Sequence, residues 1–272
     1  MEGRPSHWMM LWEPSSIKST DGRVKWVNIA VTVWHAGIVV AYYLTADQPN
    51  RDEIEYEFLV NVDGQPYILQ TNIFADDFDN NEERINLWFD PTKDFHTYSI
   101  LWNLYQIVVY RNHADKGVGF PRWQPMSIKV SQWKGDSWAT RGGKEKIDWS
   151  KGPFVASLGN HKIDGAVSST NRWHKESFSS LTSTQRRLFN WVRKCHMIYD
   201  YCQDNQRFQN NFPKECSLVS TKALIKINKI SKFVLFFIFY FSFIVLFVCG
   251  CCQKSEIINE IFVVLGLIKD KA

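Results

Sequence analysis

Before residue 180 the sequence carries almost no helical periodicity, and nowhere does it carry an N-x-Ser/Thr sequon or a long basic stripe. The first absence turns the reading of the first two thirds of the chain away from helices. The missing basic stripe, with a net charge of only +4 over 272 residues, argues against nucleic acid as a partner. A secretory leader is not legible either. Met1 to Ser16 lacks a basic stretch followed by an apolar one, because His7 to Trp12 is short and runs into Glu13 and Pro14. Without a sequon, N-glycosylation gives no sign of secretion.

What is present is aromatic area and short strands. There are 12 Trp, 10 Tyr and 19 Phe, rings that suit a core and equally suit the apolar face of a sugar. Alternating, β-branched runs at Val24 to Trp34, Ile38 to Leu44, Asp52 to Leu59, Tyr67 to Phe74, Glu83 to Phe89, His96 to Trp102, Leu104 to Tyr110 and Met126 to Trp133 read as strands. Turn residues separate them at His35-Ala36-Gly37 and Asp47 to Asn50. Many short strands at this spacing imply an all-β sandwich or barrel. From Ser183 to Tyr201 the pattern changes. Leu188, Trp191, Val192 and Cys195 recur at helical spacing and predict one amphipathic helix.

The six cysteines fall into two groups, Cys195, Cys202 and Cys216 in a polar segment and Cys249, Cys251 and Cys252 after an apolar run. Cys202 and Cys216 flank a polar loop. Two free thiols fit that spacing as well as a disulfide, which would contribute about 3 kcal/mol in an oxidising compartment. Phe233 to Cys252 is a 20-residue stretch without charge, long enough as a helix to cross roughly 30 Å of hydrocarbon. It reads either as a transmembrane helix or as a tail outside the working protein. As a span, with Lys222, Lys226, Lys229 and Lys232 before it, it would hold the domain on the cytosolic side.

The chemistry-bearing pattern is Glu53, Glu55 and Glu57. Residues two apart in a strand share a face, so the three carboxyls line one side while Ile54, Tyr56 and Phe58 line the other. A solvated sheet face is one reading. The other is catalysis, because neighbouring carboxyls raise one another's proton affinity and can divide acid and nucleophile roles at a glycosidic bond. Glu53 and Glu57 are about 13 Å apart along an extended strand, whereas a retaining pair needs about 5–5.5 Å. The catalytic reading therefore requires a curved sheet with a groove across it.

Arg51-Asp-Glu-Ile-Glu-Tyr-Glu-Phe-Leu59 resembles the Asp-Glu-Ile-Asp-Phe-Glu-Phe-Leu signature of the plant xyloglucan endotransglucosylase/hydrolases of glycoside hydrolase family 16. Further blocks follow in family order: Gln65 to Asn72, Leu87 to Lys93, His96 to Trp102, Trp138 to Gly143, Asp148 to Lys151, and Trp191 to Cys202 with Cys216. The resemblance covers roughly residues 25 to 217. It implies a jelly-roll β-sandwich with a concave cleft, plus a C-terminal extension containing a helix and a hydrophobic tail. The implied divisions are an atypical segment 1–24, a catalytic domain 25–160, an extension 161–219 and a tail 220–272.

The resemblance implies Glu53 as nucleophile, Glu57 as general acid/base and Glu55 as the helper between them. Gln70, Thr71, Asn72, Asn80, Asn81, Glu82, Trp138, Gly142 and Arg207 match substrate-contacting positions, and His96 is assigned to structure. The implied partners are a xyloglucan donor and a xyloglucan oligosaccharide or water as acceptor. No cofactor or metal is called for, and a monomer is expected. The implied location is the cell wall or apoplast, with membrane association if 233–252 inserts. Glu55 stands where the family has Asp, and residues 1–24 stand where its first strands lie, so the chain reads as a divergent, N-terminally truncated member. A glucan-binding jelly roll with impaired catalysis is the alternative, and a membrane-anchored structural protein is a third reading.

Overall fold

The computed structural model describes residues 9–10, 23–33, 35–78, 81–107, 110–122, 124–165, 175–218 and 267–268. Its strands are β1 (Met9–Met10), β2 (Arg23–Val33), β3 (Ile38–Thr45), β4 (Glu53–Leu59), β5 (Ile68–Phe74), β6 (Glu83–Asn86), β7 (His96–Trp102), β8 (Gln106–Ile107), β9 (Tyr110–Arg111), β10 (Ser127–Lys134), β11 (Val155–Gly165), β12 (Met197–Asp200) and β13 (Leu267–Ile268). The helices are α1 (Ser183–Cys195), α2 (Asn205–Phe208) and α3 (Lys214–Leu218). One sheet has the order β1-β10-β3-β4-β5-β6-β12 and the other β11-β2-β7-β8-β9, with β13 also on β7. The strand pairings are antiparallel. This is an all-β sandwich, one of the two forms the alternating runs left open, and the jelly roll that the resemblance implied.

The two-residue period decides what each face does. Val40, Tyr42 and Leu44 of β3 lie in register with Phe58, Tyr56 and Ile54 of β4, and these six are buried in the main core. Leu69 of β5, Ile85 of β6, and Ile128 and Val130 of β10 continue that face. Tyr98, Ile100 and Trp102 of β7 meet it from the other sheet. Each fully buried side chain of this size contributes roughly 1.5–3 kcal/mol. Phe58 packs edge-on against Tyr98 at 4.7 Å between centroids, and the Tyr56 hydroxyl donates to the Ser99 carbonyl at 2.9 Å. The second face of β3, β4 and β5 is thereby left for the carboxylates.

The C-terminal extension is built onto the edge of this sheet. Thr182 caps α1 through a capping box with Gln185, and Leu188 and Val192 are buried. β12 then pairs with β6. Trp88, Trp191 and His196 form a ring cluster at 4.5–5.4 Å, and Arg193 bridges Glu83 of β6 at 2.8 Å and Asp200 of β12. Cys202 and Cys216 form a disulfide with Cα atoms 5.3 Å apart, which resolves the choice between bond and free thiols. Replacing both by Ser is expected to destabilise the extension by about 3 kcal/mol, the chain-entropy value for a loop of this length. Denaturant unfolding of the double variant beside the parent measures it.

Several expectations from sequence are corrected. The single strand read over Leu104 to Tyr110 is two short strands, with Ile107 facing Tyr110 in a hairpin register. The apolar run there holds no Gly, Asn or Pro to announce a reversal. The helix read to Tyr201 ends at Cys195, because Met197-Ile-Tyr199 suits a strand and β6 offers an open edge. The strand read to Phe89 ends at Asn86. β11 was not legible, since register shifts after Val155 and Gly159 break its alternation. Of the proposed divisions, most of 1–24 and nearly all of 220–272 fall outside the described residues, as does the whole 233–252 span. Among the described residues no helix is long and apolar enough to cross a membrane.

Candidate active site

β4 carries Glu53, Glu55 and Glu57 in unbroken register with both neighbours, so alternation sets all three carboxyls on the face away from the core. On one side they meet Thr45, Tyr43 and Ala41 of β3, and on the other Phe74, Asn72 and Gln70 of β5. Arg84 of β6 lies opposite Gln70, and Tyr199 of β12 opposite Arg84. Five adjacent strands thus present one polar and aromatic floor. Glu53 and Glu57 are buried, and Glu55 between them is partly buried.

Each carboxyl has a different surrounding. The Arg51 guanidinium reaches Glu53 at 3.3 Å and Asp77 at 3.3 Å, and lies 4.9 Å over the Phe74 ring. Burial, followed by the negative charges of Glu57 and Glu53, pushes Glu55 up to about 9, against a smaller lowering from its Asn72 hydrogen bond. Burial pushes Glu57 up to about 7, while the Gln70 hydrogen bond and the Arg84 charge pull the other way. Gln70 donates its amide Nε2 to Glu57 Oε2, and Arg84 Nε donates to Gln70 Oε1 at 2.5 Å.

The raised Glu55 has a consequence for stability. Its affinity for a proton is higher in the folded protein, so the stability it contributes is complete below its ordinary value of 4.5 and is lost as pH rises towards about 9. At pH 7 that cost is on the order of 3 kcal/mol. Glu55→Gln, isosteric and uncharged, is expected to melt higher than the parent at pH 7–8, with the difference closing below about pH 4.5. Thermal unfolding across that range checks the sign.

The other residues expected to touch substrate divide. Gln70 and Asn72 lie on the carboxylate face, beside Glu57 and Glu55. Thr71 does not: it is in register with Tyr56, and alternation turns it to the core side, so that expectation is corrected. Asn80 lies outside the described residues. Asn81 accepts from the Ile73 backbone at 2.9 Å and also bonds Tyr110, which ties it to the end of β5. Glu82 is held by Arg207 at 2.6 and 3.2 Å, and Arg207 also reaches the Tyr199 hydroxyl at 3.2 Å. His96 is buried against the Phe89 ring at 4.2 Å.

Trp138 and Gly142 belong to a loop pinned to the floor by Thr140. The Thr140 hydroxyl donates to the Val60 carbonyl at 2.5 Å and accepts from Gly37 N at 2.8 Å. Gly143 closes the loop at φ +82°, where a Cβ would meet the Ser137 carbonyl oxygen at 2.0 Å, so only glycine fits. The loop sets the Trp138 ring 5.7 Å from the Arg84 guanidinium, and Tyr199 of the extension lies 5.3 Å from it. Arg51, Arg84 and Tyr199 lie on or beside the carboxylate face, and the sequence did not single them out. Register from β4 through β12 is the signal that finds the last two.

The profile of glycosyl hydrolases family 16 matches residues 12–151, and that of the xyloglucan endo-transglycosylase (XET) C-terminus matches residues 168–216. The chain is 62% identical over 202 residues to the probable xyloglucan endotransglucosylase/hydrolase protein 10 of Arabidopsis thaliana, covering 67% of this chain and 68% of that one. It is 48% identical over 200 residues to xyloglucan endotransglucosylase/hydrolase 1 of Glycine max, covering 66% and 68%. Among solved structures it is similar to an apo Crh5 transglycosylase, with a TM-score of 0.44 and 20% identity over 61% of this chain and 81% of that one. The chain belongs to glycosyl hydrolases family 16, in its xyloglucan endotransglucosylase/hydrolase branch.

Proposed function

We propose that this protein cleaves the β-1,4-glucan backbone of xyloglucan with retention and passes the glycosyl fragment to a xyloglucan acceptor or to water. Its xyloglucan transglycosylase/hydrolase class follows from its relatives. The residue roles rest on one observation above all. Glu57, buried and raised to about 7, shares a face of β4 with Glu53, which has Arg51 beside it. One carboxyl is thereby suited to carry a proton at mildly acidic pH, and the other has a cation next to the anion that must attack.

In the first step Glu57 gives its proton to the glycosidic oxygen as the C1–O bond breaks, and a Glu53 oxygen bonds to C1. The cut chain leaves with that proton. In the second step the Glu57 carboxylate takes a proton from the acceptor hydroxyl or water, the acceptor oxygen bonds to C1, and the bond to Glu53 breaks. Glu55 sits between the two, its proton affinity raised by burial and by the charges of both neighbours. Asn72, Trp138, Gly142 and the Arg207–Glu82 pair are the groups we assign to substrate contact. The setting we infer is the plant cell wall, in agreement with the Cys202–Cys216 disulfide, a bond favoured in oxidising compartments.

The test is transfer of xyloglucan to a labelled xyloglucan oligosaccharide. Binding of glucan without any transfer or hydrolysis by the folded protein would replace this reading with that of a glucan-binding jelly roll.

A further inference from the structure

The carboxylate face of the sheet contains a chain of groups that the double displacement does not itself require. Gln70 lies directly across from Glu57 and is buried, with both ends of its amide engaged. Its NH₂ faces Glu57 Oε2, and its oxygen receives Arg84 Nε at 2.5 Å. A glutamine amide has a donating end and an accepting end, whereas a guanidinium only donates and does not lose its charge. If the amide turned over, its NH₂ would meet a second donor at Arg84 and its oxygen would meet a carboxylate. Arg84 therefore decides which end Glu57 sees. The guanidinium itself lies over two rings, Trp138 at 5.7 Å and Tyr199 at 5.3 Å, within the range of cation–π attraction.

We propose that Arg84 is a positioning residue that locks the Gln70 amide with its donor end on the Glu57 carboxyl, and so sets how readily Glu57 gives and takes its proton. The proposal rests on the assignment of Glu57 as acid/base. A donor on the carboxyl favours its ionised form, which is the form needed to deprotonate the incoming acceptor. A freely turning amide could offer its oxygen instead and would favour the protonated form, which serves only the first step. The direction agrees with the Gln70 hydrogen bond, which lowers the proton affinity that burial raises; the Arg84 charge lowers it as well, and the double variant below separates the two routes. The rings that hold Arg84 come from the Trp138–Gly143 loop and from the C-terminal extension, so both outlying parts of the protein act on the proton at the centre of β4.

The experiment is the pH profile of kcat/KM for xyloglucan transfer by the full-length protein, as wild type, Arg84→Met, Gln70→Met, the double variant and Glu57→Gln. Thermal melting confirms that each is folded. Arg84→Met is expected to move the basic limb up by about one unit and leave the acidic limb in place. Gln70→Met, which keeps the guanidinium, is expected to move it the same way, and the double variant to move it by clearly less than the sum of the two single shifts. A role confined to holding the acceptor would raise the acceptor KM without moving the limb, and that result overturns the proposal. So does an Arg84→Met shift that persists undiminished in the Gln70→Met background, since the charge would then be acting through space. A basic limb that survives Glu57→Gln instead overturns the acid/base assignment beneath it.

Discussion

Glu53→Ala is expected to lose transfer and hydrolysis of xyloglucan by on the order of 10⁵-fold, the scale of removing the nucleophile from a covalent catalyst. The loss belongs to kcat, because a side chain truncated on this face leaves the rest of the face to bind the glucan. Rescue chemistry makes the prediction specific to role. Removing the carboxylate empties space on the face of the sugar opposite the leaving group. Azide supplied with an activated aryl β-glycoside can attack C1 from there. One displacement in place of two inverts the centre, so the rescued product is expected to be the α-glycosyl azide, identified by its anomeric coupling. A β-glycosyl azide from this variant would mean that another residue still forms the covalent intermediate.

The same variant should keep its fold. Arg51 loses one acidic partner but retains Asp77 at 3.3 Å and the Phe74 ring, so a cation is not stranded in an apolar place. An unchanged melting curve beside lost turnover separates chemistry from collapse. Abolished folding would instead make the Arg51–Glu53 pair a structural clamp on the start of β4.

How far this site could be read in advance follows from which periodicities a single chain displays. Glu53, Glu55 and Glu57 share a face because of the strand period alone, and their neighbours Ile54, Tyr56 and Phe58 mark the other face as core. Gln70 and Asn72 follow once β4 and β5 are taken as a pair in register. Thr71 shows the limit of carrying over a block of sequence whole: the resemblance brought three consecutive residues, and the strand turns the middle one away. Arg84 needed the register of a third strand and Tyr199 that of a fourth. Tyr199 was further hidden by an apolar pattern that continues that of α1 past its end. Glu82 was legible as a polar residue near the site, but its engagement by Arg207 across 125 residues of chain was not.

Glu57→Ala is expected to fail differently from Glu53→Ala, and the difference is the strongest check on the division of labour along β4. General acid–base assistance contributes about 10²–10⁴-fold, so transfer between xyloglucan chains, whose leaving group is a poor sugar alkoxide, should fall by about 10³-fold or more. A dinitrophenyl glycoside leaves without a proton, and with that substrate the first step should survive. The second step still lacks its base, so the glycosyl-enzyme on Glu53 should accumulate as a burst detectable by mass. Azide needs no deprotonation and attacks this intermediate from the β face, so the rescued product is expected to be the β-glycosyl azide, opposite in configuration to that from Glu53→Ala. The pH profile supplies the second half of the argument. The wild-type kcat/KM needs Glu57 protonated, and that form is lost as pH rises through about 7. Activity should therefore decline on the alkaline side of that value, and the decline should vanish in Glu57→Ala with the dinitrophenyl substrate. A decline that remains would assign the titrating acid to another group, and the raised Glu55 beside it would then be the residue to replace.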